Sequence, residues 1–235
     1  MKMVSRWISS VPFFLCLLFL FLPLCEGIGA AFGYRFTLYH YPAAIVCTAA
    51  LSLCFSIALF LLSDHLHGAN AVFSAFALPL AVLNGFFYVG RWDAAIFFIL
   101  VCCGCSAAVL IKFARPFALK IATGILSLLL FIFLLCITLL ILAFGNFGSN
   151  SVVASAESPH GTYLAEVINS DQGALGGDTL VNVTNQAKTI PLLIGEFSKV
   201  PVRVYTGEWG EFESMKIYWK DDKTLIIDGR SYNMN

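Results

Sequence analysis

Asp64, His65 and His67 crowd one short polar stretch, and two imidazoles with a carboxylate are a usual ligand set for zinc and related cations. The same residues also make an ordinary polar loop beside an apolar run, and that is the reading taken here. Cys102, Cys103 and Cys105 are soft ligands, but they lack the C-x-x-C form, and neighbours on a helix point in different directions. With the other five cysteines they read as small apolar packing residues. Ser158 has His160 two residues on, yet no G-x-S-x-G surrounds it and no second histidine follows to act as base. Glu208, Glu211, Glu213, Asp221 and Asp222 suit a hard cation such as calcium, or else make a solvated acidic face. The stretch from Asp171 to Asp178 has neither EF-hand spacing nor a phosphate-loop lysine and reads as a hairpin loop. Asn182-Val183-Thr184 matches a glycosylation acceptor, which matters only in a eukaryotic secretory pathway. These residues assemble no catalytic constellation. The sequence therefore carries the expectation of no enzyme, no cofactor and no metal.

The elements that must position these residues fall into two halves. The chain has 235 residues, 59% hydrophobic and 12% charged. Soluble domains carry about 25% charged residues. Part of the chain must therefore use lipid as its solvent. Residues 1–146 hold seven Lys and Arg against three Asp and Glu, whereas residues 147–235 hold seven against eleven. A mildly acidic second half argues against nucleic acid as a partner. All eight cysteines lie between Cys16 and Cys136, so no disulfide framework holds the polar half.

Five apolar runs predict membrane spans over about 7–24, 43–62, 71–89, 94–111 and 121–144. The last is the clearest, with seventeen Leu, Ile or Phe among its 24 residues. At the insertion gain typical of such residues this amounts to roughly 5–10 kcal/mol. Lys2, Arg6, Lys112, Arg115 and Lys120 fall on one side of these spans, and Arg35 and Arg91 on the other. The positive-inside rule then places the N-terminus in the cytoplasm and the C-terminal half outside the plasma membrane. The first run also has the basic start and apolar stretch of a signal peptide, and either reading leaves the C-terminal half on the same side. Trp7, Tyr34, Tyr39, Tyr41, Tyr88 and Trp92 sit near span ends, as an interfacial aromatic belt requires. Within the spans, Asn84 is the most polar residue, in a run that also holds Pro79. It reads as an interhelical hydrogen-bonding residue at a packing contact. Gly104 and Ala108 form a small-xxx-small pair that lets a second helix approach.

Residues 146–156 read as a linker, and residues 157–235 as an antiparallel all-β domain, a meander or small sandwich. Ser158-Pro159-His160-Gly161 is a tight turn. Alternation then predicts strands over about 162–168, 180–184, 189–194 with Pro191 marking an edge, 202–205, 215–219 and 224–228. Tyr163, Ala165 and Val167 share one face, and Val181 and Val183 share another.

Ser158-Pro159-His160-Gly161-Thr162-Tyr163 resembles the S-P-x-G-x-Y opening of bacterial β-propeller hairpins. Together with Ile217-Tyr218-Trp219-Lys220-Asp221-Asp222-Lys223-Thr224-Leu225-Ile226-Ile227-Asp228-Gly229, it also resembles a family of Gram-positive membrane-anchored proteins. In that family I-Y-W and W-x-D-D-x-T are separate elements, whereas here a single Trp219 serves both. The resemblance covers about residues 155–235. It implies an extracytoplasmic β-domain and brings no activity with it. The expectation for the whole chain is an α-helical multi-pass membrane bundle displaying a small extracytoplasmic β-domain. That domain is read as a non-catalytic binding or sensing module of the bacterial cell envelope, with Trp209, Tyr218 and Trp219 as its partner-binding surface. The bilayer is one expected partner and a second membrane or envelope protein another. The alternative is a small transporter or an accessory subunit of a transport complex.

Overall fold

The computed structural model describes residues 8–64, 66, 68–144, 148–173 and 176–234. These form two compact units. One is carried by residues up to Ile28 together with His40–Ile141, the other by Gly29–Tyr39 with Leu142–Asn235. His65 and His67, weighed as metal ligands and read as a polar loop, lie outside the described residues.

The first unit is built of helices α1 (Val11–Ala31), α2 (Tyr41–Leu62), α3 (Ala69–Gly85), α4 (Ala95–Phe113) and α5 (Phe117–Phe144). Four of the described helices, all but α3, are long and apolar enough to cross a membrane. α5 has almost no buried side chains beyond Thr123, Ser127 and Leu134. Leu128, Leu129, Ile132, Phe133 and Leu139 stand out from it, each about half exposed or more. An apolar surface of that extent is stable only in lipid. α3 has 17 residues, ~26 Å at 1.5 Å per residue, and a turn-rich stretch follows it.

Contacts inside this unit set the helix directions. At one end the Arg115 N–H donates to the Ala71 carbonyl at 3.2 Å, Lys112 Nζ donates to Phe60 O at 3.4 Å, and Cys16 Sγ donates to Phe73 O at 3.3 Å. At the other end the Tyr41 and Tyr88 rings meet edge to face at 6.4 Å, and the Arg91 guanidinium lies 5.1 Å from the Tyr41 ring centre. Successive helices therefore run in opposite directions, and α3 runs from one end of the unit to the other. Several boundaries differ from the sequence reading, among them the start of α5 at Phe117 rather than at residue 121. α1 continues past Pro23, which lies inside it, and Glu26 to Ala31, and the first left-handed glycine comes only at Gly33. α3 stops at Gly85 rather than at residue 89.

The second unit is a set of antiparallel sheets. Its strands are β1 (Tyr34–Leu38), β2 (Ser149–Glu157), β3 (Tyr163–Asp171), β4 (Gly177–Asn185), β5 (Ile190–Pro191), β6 (Gly195–Lys199), β7 (Val202–Glu208), β8 (Ile217–Asp221), β9 (Thr224–Ile227) and β10 (Arg230–Asn233). One sheet has the order β2-β3-β4-β7 and a second the order β10-β9-β8. They close on a core of Tyr163, Ala165, Val167, Val181, Val183, Leu225 and Ile227, so the small sandwich is the form taken. The shared faces read from alternation in β3 and β4 are the buried ones. Asp228-Gly229 supplies the two positive-φ residues of the β9–β10 hairpin, the Asp-Gly signature of that turn.

Two expectations are corrected here. Ser149–Glu157, read as linker, is a strand paired along its length with β3. Its composition of Ser, Asn and Ala hides it, because it is an exposed edge with no face to bury. Tyr34–Leu38, placed among the helices, belongs to the β unit: it pairs with β6 in the third sheet, β1-β6-β5. Phe36 is fully buried there, with its ring 5.0 Å from that of Phe197. β6 itself was missed because the predicted strand 189–194 turns at Leu192, where Leu192 N–H donates to Gly195 O at 2.7 Å.

Candidate functional site

The residues nearest to catalytic chemistry do come together. His160 N–H donates to Asp222 Oδ1 at 2.9 Å, and its ring Nδ1 meets Asp222 Oδ2. The Ser158 hydroxyl also reaches the Asp222 carboxyl. A Ser-His-Asp triad needs the imidazole between hydroxyl and carboxylate. Here the carboxylate sits between the other two. Ser158 is buried, and its Oγ accepts the Tyr163 N–H at 3.0 Å. The hydroxyl is therefore a turn-building group. The cluster is a clasp that holds the Ser158–Gly161 turn, closed by Gly161 N–H to Ser158 O at 2.8 Å, against the β8–β9 turn. The backbone N–H of His160, and after it the imidazole, hold the Asp222 carboxyl below the usual carboxylate range. Sequence reasoning missed this partnership because 62 residues separate its members.

The other acidic residues are used locally. Asp221 Oδ1 accepts the N–H groups of Lys223 at 2.9 Å and Thr224 at 2.8 Å, an Asx turn that lowers its own pKa. Glu211 Oε2 accepts the Tyr205 hydroxyl at 2.7 Å, which pushes the Tyr205 phenol up. Gln172 and Asp178 bond across the 172–178 loop at 3.1 Å. Among the described residues no group of three or more His, Cys, Asp or Glu is placed to hold a metal.

The three aromatics expected on one surface separate. Trp209 is exposed at the end of β7, where its Nε1 donates to Asn169 Oδ1 at 3.2 Å. A Cβ on Gly177 would run into its ring, so glycine is what allows that approach. Tyr218 is exposed on β8 of the other sheet. Trp219 is drawn inward, stacked on Tyr163 at 5.8 Å, with Nε1 donating to Ala156 O at 2.9 Å. It is half buried and flanks the core, its indole N–H satisfied by that carbonyl.

In the helical unit Asn84 is 3% exposed and its Oδ1 has no hydrogen-bond partner. Gly104 is exposed on α4 with nothing within 4 Å of a built Cβ, and Ala108 is half buried. That pair is therefore not a helix crossing within this unit. Thr48, Ser74, Thr123, Ser127 and Thr138 bond back to carbonyls one turn earlier. Ser52 and Ser56, one turn apart on α2, instead lie against Cys105 of α4.

A cleft that the sequence did not flag opens in the β unit, with a volume of about 360 Å³. Val183, Val202 and Val204 form its apolar lining, and Asn185, Lys188 and Lys199 its polar rim. Asn185 Oδ1 is buried there without a hydrogen-bond partner. Lys199 Nζ donates to Phe32 O at 3.0 Å and lies 4.0 Å from the Tyr34 ring centre. The cleft and β1 thus share a residue of β6. The signal in the sequence was a lysine at each end of a largely apolar stretch, which is indistinguishable from ordinary strand ends. No protein-family model, no curated protein and no solved structure matches the chain.

Proposed function

We propose that this protein is a non-catalytic binding and sensing module of the cell envelope, with its β unit displayed outside the membrane. The cleft takes the ligand. Two ammonium groups over an apolar lining suit a small anionic ligand with an apolar portion, and the unpaired Asn185 Oδ1 would take a hydrogen bond from a donor on that ligand. The observation that carries the reading is the splicing of β1. The strand that completes the sheet beside the cleft is the whole connection between α1 and α2, so ligand strain on β6 acts on two spans at once. A domain hung on one flexible tether has no such route.

Orientation is supported by charge. Lys112, Arg115 and Lys120 gather at the end of the helical unit opposite Arg91, which is the distribution of cytoplasmic cations. α3 is read as a fifth crossing: β1 lies before α2 and β2–β10 after α5, and one unit can hold both only if an even number of crossings separates them.

The test is a photo-crosslinking amino acid at Val202 on the cleft lining of the full-length protein in its membrane. A discrete adduct is expected, lost in Lys188→Glu. Adducts from a probe at Tyr218 with none from Val202 would move binding out of the cleft.

A further inference from the structure

The tip of the β5–β6 hairpin is built of the wrong residues for water. Turn tips draw on Gly, Asn, Asp, Pro and Ser. Here Leu192, Leu193 and Ile194 occupy it, with Leu193 97% exposed and its two neighbours more than two-fifths exposed. No polar side chain interrupts the run from Ile190 to Gly195. Register shows where this tip is held. β1 and β6 are antiparallel, with Leu38 opposite Gly195, and the Tyr39 N–H donates to Ile194 O at 3.1 Å. Residues before Gly195 therefore extend past the end of β1 in the direction in which β1 itself continues. Along the chain, Tyr41, two positions after Tyr39, is the first residue of an apolar helix long enough to span a membrane.

From Tyr39, the partner of Ile194, to the first residue of that helix is two residue steps, ~7 Å of extended chain. The headgroup layer beside a bilayer core is roughly 5–8 Å deep. At its other end β1 begins three residues after α1, at the level of Phe32, which is 72% exposed. The strand is thus tied to an apolar helix within three residues at each end, and its neighbour's apolar turn is hydrogen-bonded to the chain beside one of those ties.

We propose that Leu192, Leu193 and Ile194 form a lipid anchor, seated in the interfacial layer of the bilayer. The proposal rests on the reading of the helices as membrane spans and adds a contact that those helices do not make. It gives the β unit a third hold on the membrane, besides its connections through α1–α2 and α5. The same contact ties the cleft's strand, β6, to the state of the lipid surface.

The experiment uses the full-length protein in phospholipid nanodiscs. A nitroxide is placed singly at Leu193, Arg230 or Leu129 through a ketone-bearing amino acid, which leaves the eight native cysteines untouched. Leu193 has almost no protein contact to lose, so the label does not threaten folding. Collision with apolar oxygen is compared with collision with a water-soluble nickel chelate. Oxygen is expected to dominate at 193 and 129, and nickel at 230. Nickel dominance at 193 with oxygen dominance at 129 would overturn the anchor and leave the spans intact. Nickel dominance at 129 as well would bring down the membrane reading and the anchor with it. Shielding of 193 from both reagents would show that protein, not lipid, covers the tip, which also overturns the proposal.

Discussion

Asp222 is the residue on which two distant turns depend. Its carboxylate takes the His160 amide, meets the His160 imidazole and is reached by the Ser158 hydroxyl. All three interactions favour the charged form, so its pKa is lower folded than unfolded. A group of that kind stabilises the fold at pH above its unfolded value, about 3.9. The contribution is lost as pH falls through the lower, folded value. Asp222→Asn is therefore expected to lower the unfolding midpoint of the intact protein at pH 6, with the gap to the wild type narrowing as pH drops below the carboxylate range. Chemical unfolding followed by Trp219 fluorescence at several pH values measures this. A gap that stays constant with pH would mean that the ionised carboxylate is not what closes the clasp. The clasp was invisible in the sequence for a physical reason. Ser158, Pro159 and Gly161 announce a turn through their own backbone preferences, whereas the partner of that turn is set by how the two sheets stack. Trp219 teaches the same lesson from the other side: as an aromatic on a short strand it fits a contact surface or a core equally well, and only the stacking on Tyr163 decides.

At the scale of elements, residues that must bury a face were legible and residues that need not were not. β3 and β4 alternate because one side meets the core, and the faces predicted for them are those found. The long spans were legible because lipid demands apolar residues on every side. β2 buries nothing and left no pattern. β1 left a short one, Tyr-Arg-Phe-Thr-Leu, which reads equally well as an aromatic-rich loop between spans. Its place depends on Gly195. A Cβ there would run into the Thr37 carbonyl and within 3.0 Å of the Phe36 ring. Gly195→Val is thus expected to unseat β1 from β6. The check is a pair of cysteines at Thr37 and Glu196, which stand opposite each other. Mild oxidation should cross-link them in the parent protein and fail to do so once Gly195→Val is added. Undiminished cross-linking would show that the strand tolerates the side chain and that glycine is not what admits it.

For the whole molecule the decisive quantity is a parity. Between β1 and β2 the chain passes through α2, α3, α4 and α5, and only α3 falls short of the usual span length. If α3 failed to cross, three crossings would place β1 and β6 on opposite sides of the bilayer, and backbone pairing across ~30 Å of hydrocarbon is impossible. On the proposed reading of the other helices as spans, the pairing of Tyr34–Leu38 with Gly195–Lys199 fits a 17-residue helix that also crosses, tilted little and helped by local thinning of the bilayer or by the turns that follow it. Single cysteines at Arg35, Arg230 and Lys120, introduced into a chain whose eight native cysteines are replaced by alanine or serine, test this with a membrane-impermeant maleimide on intact cells. Arg35 and Arg230 are expected to label from outside, and Lys120 only after the membrane is opened. Labelling of Arg35 and Arg230 from opposite sides would break the parity and, with it, the third sheet. Labelling of both from the inside alone would keep the parity and reverse the orientation. The distribution of Lys and Arg would then have misled, while the strand pairing, which knows nothing of inside or outside, would stand.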